Sequence, residues 1–272
     1  QLITNPPSII DENNILVARK QNSEFHKDFL SMNISYYRSK NNFKYAIHSR
    51  FFNTNNTINS MLSNPENESL GNSFENNTIY RIRNFNINPI LVYNKEKYSL
   101  KIGLNAIYNY IKLSDITVNK NEEAYFITPK ITAIYRLNEV SNANFSYSFN
   151  QVSPDEDKLF SGIIQTNYRG FVSNELSLEY LKTHSYNLNY SYNNFFDLTQ
   201  FNINLNHNYR PNNYFYNNII RENITVSNQF FASIGTKDYN LTISGEKYYH
   251  PLRTTFQFNS AFMLSFNSNI IN

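Results

Sequence analysis

The chain of 272 residues contains no cysteine and no tryptophan, and it has only six glycines. Without cysteine there is no disulfide framework, no thiolate metal site and no thiol nucleophile. No apolar run reaches the roughly 18 residues that a membrane helix requires. The 24 lysines and arginines are dispersed and the net charge is only +3, so the clustered basic face that nucleic-acid binding usually needs is missing. A disulfide-stapled domain and a helical membrane protein are excluded, and a nucleic-acid partner is disfavoured.

Aromatic and amide side chains are abundant instead. Tyrosine and phenylalanine number 22 each, while asparagine, the commonest residue, makes up roughly a sixth of the chain against the usual few per cent. The mean hydropathy is nevertheless −0.54. So many aromatic residues beside so many polar ones predict strands that each present one apolar and one polar face.

The order of these residues is typical of β-strands. Residues 185–192 alternate Tyr or Leu with Ser or Asn, and residues 201–209 alternate an apolar or aromatic residue with Asn. A short segment rich in turn-forming residues, 193–199, separates the two runs. This pattern predicts a β-hairpin. A helix is a poor alternative, because period two would scatter the apolar residues around its axis.

The same alternation recurs along the chain and predicts about 11 or 12 antiparallel strands in a single domain spanning residues 1–272. One strand is predicted within 217–231, with a turn at 235–237. Short turns alternate with longer connections, the longest being the loops at about 53–77 and 153–180, which we expect to be outer loops. Because every second connection of a meander lies at the same end, this order is typical of outer-membrane barrels. The fold class predicted is an all-β, antiparallel up-and-down transmembrane β-barrel. A soluble β-sandwich, which also alternates, is the alternative.

Two stretches carry a family resemblance. Residues 124–154, AYFITPKITAIYRLNEVSNANFSYSFNQVSP, and 159–192, LFSGIIQTNYRGFVSNELSLEYLKTHSYNLNYSY, resemble the barrel of TonB-dependent receptors. The resemblance implies a Gram-negative outer-membrane barrel of about 22 strands, closed by a plug, that takes up a ligand with energy coupled through TonB. The chain has no recognisable plug or TonB box and too few residues for so many strands. We therefore expect a piece of a larger barrel, or else a smaller complete barrel of about 12 strands.

Candidate site residues are few. Tyr168, Arg169 and Phe171 lie in the second long loop and could contact a ligand, although packing within the loop explains them equally well. The five histidines are widely separated, so no metal site is expected. No nucleophile motif is found, and neither catalysis nor a cofactor is expected. The function predicted is uptake or passage of a small ligand or peptide across the outer membrane, with membrane lipid and TonB-type coupling as partners. A soluble or surface-attached β-rich binding or adhesion protein is the alternative.

Overall fold

The computed structural model describes residues 20–64, 67–116, 118–154, 159–167, 169–221 and 224–267, and these residues are almost entirely β-strand. None of their helices is long and apolar enough to cross a membrane. The strands in chain order are β1 (Lys20–Lys40), β2 (Phe43–Ser63), β3 (Glu75–Lys95), β4 (Tyr98–Ser114), β5 (Asn119–Arg136), β6 (Ser141–Val152), β7 (Ile164–Asn167), β8 (Gly170–Asn174), β9 (Leu181–Asn194), β10 (Thr199–Arg210), β11 (Asn213–Arg221), β12 (Ile224–Ala232), β13 (Thr236–Tyr249) and β14 (Thr254–Asn267).

Ten of the strands form one sheet in the order β1-β2-β3-β4-β5-β6-β9-β10-β13-β14, and all neighbours in it are antiparallel. The remaining strands form a second sheet in the order β11-β12-β8-β7. Within the described residues β1 pairs only with β2 and β14 only with β13, so the main sheet has two open edges. The predicted all-β, up-and-down antiparallel architecture is confirmed, with ten strands in the main sheet rather than 11 or 12.

The connections of the main sheet differ between its two ends. Residues 41–42, 96–97, 137–140, 195–198 and 250–253 form short turns at one end, here called the short-connection end. Residues 64–74, 115–118, 153–180 and 211–235 link the strands at the other, long-connection end. The last two of these carry the four strands of the second sheet. Additional structure is therefore concentrated at the long-connection end.

Two predicted segments have different boundaries in the structure. The loop predicted at about 53–77 is shorter, because β2 continues to Ser63 and β3 begins at Glu75. The strand predicted within 217–231 belongs to the hairpin of β11 and β12 in the second sheet, so it is not a strand of the main sheet. Period two identifies a strand but does not say which sheet it joins. Strand ends rich in Asn, Ser and Thr also have the composition of a loop.

The main sheet has one apolar and one polar face. On β3 the apolar face carries Phe85, Ile87, Pro89, Leu91 and Tyr93, and the opposite face carries Asn84, Asn86 and Asn88. The cross-strand register continues the apolar belt onto the neighbouring strands, as Phe85 lies opposite Tyr108 and Leu91 opposite Ile102. The belt on β3 spans about nine residues, which matches a membrane β-strand.

Large apolar side chains of this belt are exposed. Ile34 is 71% exposed, Ile127 61% and Phe262 62%. The longest strands also exceed what a membrane needs, because 21 residues at roughly 3.3 Å each extend about 70 Å. On β3 the surplus lies between Glu75 and the belt, at the long-connection end. The sheet therefore has an apolar belt with a polar extension beyond it.

Candidate functional site

Asparagine side chains form a hydrogen-bonded network on the polar face of β9 and β10. The Asn187 amide donates to Oδ1 of Asn206 at 2.5 Å and to Oδ1 of Asn204 at 3.4 Å. The Asn189 amide donates to Oδ1 of Asn202 at 2.7 Å. An amide both donates and accepts without carrying charge. This part of the polar face can therefore be hydrated and can bind a polar solute, whatever the sign of its charge.

A second part of the polar face, on β1, β2 and β4, carries cationic side chains. Near the short-connection end, Lys44, His48 and Lys101 line a cavity of about 500 Å³ together with Tyr37. The His48 Nδ1 lies 2.9 Å from the Ser35 hydroxyl oxygen. These lysines make the cavity attractive to an anionic group.

The connection between β6 and β9 packs on the polar face. We call residues 159–167 and 169–180 the tucked segment. Its apolar side chains form a core with residues of β3 and β4, and the members of this core are Tyr80, Ile82, Ile111, Leu113, Leu159, Leu176, Leu178 and Tyr180. Tyr80 and Ile82 are on the same face of β3 as Asn84, because side chains alternate along a strand. The tucked segment therefore covers the polar face at the long-connection end.

A close backbone contact fixes the tucked segment at Gly162. The Gly162 N–H donates to Oδ1 of Asn76 at 2.7 Å, and the Asn76 amide donates back to the Gly162 carbonyl at 3.3 Å. The Ser161 hydroxyl donates to a carboxylate oxygen of Asp115 at 2.6 Å. A Cβ at position 162 would lie only 2.2 Å from the carbonyl oxygen of Glu75. Glycine is therefore required for this approach of the segment to β3.

Two of the three predicted site residues, Arg169 and Phe171, lie beside and within β8 of the second sheet. Arg169 is exposed between β7 and β8, where its N–H donates to Oδ1 of Asn167 at 2.9 Å. Phe171 is only 1% exposed and packs in a second core with Leu62, Phe74, Ile163 and Val226. Tyr168 lies outside the described residues. Ligand contact by Tyr168, Arg169 or Phe171 stays a prediction.

Three buried polar side chains lie on the polar face where β2 and β3 extend beyond the belt. Thr54 and Thr78 are fully buried and Asn56 is 1% exposed. Their hydroxyl and amide groups have no hydrogen-bond partner among the described residues. Thr54 and Asn56 were not predicted as strand residues, because the sequence predicts a loop at about 53–77. Residues 53–57, NTNNT, are all polar, so alternation gives no signal at these positions.

Acidic residues meet beside the tucked segment. Glu122 lies on the polar face of β5, three residues beyond Tyr125 and outside the apolar belt. Partial burial and then the nearby Glu179 carboxylate raise the pKa of the Glu122 carboxyl, while Lys120 lowers it by a smaller amount. The Lys120 ammonium also donates to the Leu176 carbonyl at 3.4 Å. The charge state of Glu122 is thus coupled to the tucked segment.

Two of the histidines belong to an aromatic row on the apolar face. The ring centroids of His207 and Tyr239 are 4.2 Å apart, and those of His207 and Tyr186 are 5.7 Å apart. The Nδ1 of His184 lies 3.1 Å from the Tyr147 hydroxyl. Tyrosine and histidine rings with one apolar body and one polar edge suit a membrane interface. Among the described residues, no group of three or more His, Asp or Glu side chains could hold a metal ion.

The fold is similar to that of solved outer-membrane receptors and transporters of the TonB-dependent class. The copper transporter OprC superposes with a TM-score of 0.66 at 11% identity over 91% of this chain and 39% of its own. The ferric citrate transporter FecA gives 0.56 at 10% identity over 91% and 36%, and the alcaligin outer-membrane receptor FauA from Bordetella pertussis gives 0.52 at 13% identity over 93% and 41%. The chain thus spans about two-fifths of their length. No family model and no curated protein sequence matches the chain. At these identities the likeness establishes the fold, an antiparallel up-and-down sheet like the wall of those barrels.

Proposed function

We propose that this chain forms part of the wall of an outer-membrane receptor barrel, which binds a ligand at the long-connection end and passes it along the polar face. The two-faced main sheet is the observation that supports this most strongly. Its exposed apolar belt matches the hydrocarbon core in length, and its opposite face is lined with hydrogen-bonded amides. A wall with lipid on one side and water on the other needs this distribution.

The open edges of the sheet support a larger closed barrel. Unpaired backbone groups cannot face lipid, because hydrocarbon offers them no hydrogen-bond partner. The edges of β1 and β14 must therefore pair with other strands in the membrane. A barrel of about 22 strands, as the resemblance implies, would supply them, and so would closure of a smaller barrel. The chain's span of about two-fifths of the solved receptors favours the larger barrel.

The tucked segment and the second sheet are the proposed ligand-binding region. They lie at the end where receptor barrels carry their longer loops, and Arg169 is exposed there. A small ligand or peptide would contact this region first and then the amide network deeper along the polar face. Energy coupling would come through a TonB-type partner and a plug domain outside this chain. No step of this process requires bond chemistry by the chain itself.

A soluble or surface-attached β-rich binding protein is the second candidate. It requires a packed partner for the apolar belt, such as the second layer of a sandwich. The second sheet does not supply that layer, because its core contacts reach Leu62 and Phe74 at the long-connection end, whereas Ile34, Ile127 and Phe262 of the belt are exposed. The outer-membrane barrel is therefore preferred to the soluble binding protein.

Fractionation of cells that express the full-length protein tests the proposal. We expect it in the outer-membrane fraction, with faster migration on a denaturing gel before boiling than after, since closed barrels resist the detergent. Deleting residues 159–180 should abolish binding of the imported ligand while the heat-sensitive migration is kept. Recovery of a soluble protein without heat-sensitive migration would refute the barrel, and unchanged ligand binding by the deletion variant would refute the binding region.

A further inference from the structure

Three cations extend the apolar face of β3 and β4 beyond the belt, at the long-connection end. Arg83 is two residues from Phe85, Arg81 is two residues further, and Lys112 is two residues from Tyr110. Alternation therefore places all three on the same face as the apolar belt. We call Arg81, Arg83 and Lys112 the basic patch. In the cross-strand register Arg81 lies directly opposite Lys112.

The described residues do not neutralise the basic patch. No carboxylate among them lies within ion-pair distance of its three cations. The Arg81 Nε donates to Oδ1 of Asn55 at 3.4 Å, and the Arg83 guanidinium is 6.0 Å from the centre of the Tyr110 ring. Like charges directly opposite on a sheet are destabilising. The Arg81 and Lys112 pair thus costs stability unless an anion lies between or beside the two side chains.

The position of the patch indicates the kind of anion. Tyr110 on β4 and Tyr125 on β5 end the belt on this side, and the ring centroids of Tyr108 and Tyr125 are 4.7 Å apart. Aromatic rings of this kind mark the headgroup level of a membrane. Cations immediately beyond them on the lipid-facing side meet the headgroups themselves. Guanidinium groups bind phosphate oxygens in a bidentate manner.

A groove beside the patch can accept the apolar part of the same ligand. It has a volume of about 360 Å³ and is lined by Phe51, Arg83, Asn84, Phe85, Tyr108, Tyr110 and Glu123. Most of these side chains are aromatic, so the groove suits a hydrocarbon chain next to a charged group. Glu123, opposite Tyr110, is the acidic member and would disfavour an anion at its own end of the groove. The phosphate site is therefore at the Arg81 and Lys112 end.

We propose that the basic patch binds the phosphate of a phosphorylated lipid headgroup in the leaflet at the long-connection end. The proposal rests on the barrel function proposed above, since it requires this face to contact lipid. A merely solvated basic surface would need neither the lipid-facing orientation nor the adjoining aromatic groove. Bound lipid would also offset the repulsion between Arg81 and Lys112.

The test measures the lipid retained by the full-length protein. The protein is extracted from the outer membrane with a mild detergent, and its bound phosphorylated lipid is quantified by mass spectrometry. We expect R81Q/R83Q/K112Q to retain at least about tenfold less than the parent protein. The matched control, R38Q/K40Q/K95Q, removes three cations of the same face at the short-connection end and should retain the parent amount, because those cations meet the opposite leaflet.

Several results would overturn the proposal. Unchanged retention by R81Q/R83Q/K112Q would do so, as would displacement of the bound lipid by inorganic phosphate, which would indicate a site for free anions. If the triple variant does not assemble, R81K/R83K is used instead, because it keeps the charge but loses the bidentate geometry. K112Q is measured beside it. Unchanged lipid retention by both of these variants would equally contradict a phosphate site. Heat-sensitive migration measured in parallel separates the two proposals. Absence of heat-sensitive migration in the parent protein refutes the barrel. Heat-sensitive migration together with unchanged lipid retention by R81Q/R83Q/K112Q refutes only the lipid site.

Discussion

Replacing Gly162 by alanine tests whether the tucked segment depends on its close contact with β3. The new Cβ would lie 2.2 Å from the Glu75 carbonyl oxygen and 2.9 Å from the side-chain atoms of Asn76. The backbone oxygen belongs to a paired strand and cannot move aside, so the segment must shift outward by about 1 Å to restore a normal contact. That shift breaks the reciprocal hydrogen bonds between Gly162 and Asn76.

The cost can be estimated from these contacts. Two hydrogen bonds contribute about 0.5–1.5 kcal/mol each, and the buried Asn76 amide that loses them adds about 1–3 kcal/mol. We therefore expect the docked segment to be destabilised by about 2–6 kcal/mol, which raises its undocked population by roughly 30- to 25,000-fold. The barrel itself should be unaffected, since Gly162 is not in a strand of the main sheet.

Amide hydrogen exchange of the tucked segment measures this effect. In G162A the peptides covering residues 159–167 should exchange faster by about the same factor, while those covering β4 keep their protection. Gly103→Ala is the matched control, because its Cβ would meet the nearest atom at 3.5 Å, an ordinary contact. Equal protection of residues 159–167 in G162A and G103A would refute the reasoning that the segment is fixed at this glycine.

Three further substitutions have defined outcomes. Thr78→Val removes a buried hydroxyl without a described partner and should stabilise the protein by about 1 kcal/mol in urea titration, whereas a loss would show that the hydroxyl is bonded. Leu188→Arg should hinder barrel assembly by about 2–4 kcal/mol and Asn189→Arg by much less, because only residue 188 faces lipid; similar yields of folded protein would contradict this orientation. The raised pKa of Glu122 means that the folded state holds this proton more tightly, so docking of the tucked segment weakens as pH rises through the raised pKa. Glu122→Gln should remove that pH dependence of the segment's hydrogen exchange, and an unchanged pH profile would exclude Glu122 as its source.

The strands of the main sheet were readable from sequence because apolar and polar side chains alternate along them. In the hairpin of β9 and β10, Leu188 lies opposite Leu205 and Asn189 opposite Asn204, as the alternation predicts. The alternation of polarity also stops at the turn between β9 and β10. In a barrel wall one face contacts lipid and the other contacts water, so the polarity of a residue is enough to assign its face.

The long-connection end was not readable in the same way. There Tyr80 and Ile82 are covered by the tucked segment, so apolar residues lie on the face that is polar elsewhere. Thr54 and Asn56 belong to a strand but have the composition of a loop. Contacts such as the one between Asn76 and Gly162 join residues 86 positions apart, and a single sequence carries no signal for such pairs. The candidate ligand contacts could therefore be placed only among loop residues.

The orientation of the sheet in the membrane is the central claim, and the absence of cysteine allows a direct measurement of it. Single cysteines at Ile131, which lies opposite Ile102 on the apolar face, and at the adjacent Thr132, opposite Lys101, carry the same fluorophore in the full-length protein in lipid vesicles. We predict that a quencher attached to lipid chains quenches the label at residue 131 and that aqueous iodide quenches the label at residue 132. Equal quenching of both labels by iodide, with none by the lipid quencher, would contradict a wall between lipid and water.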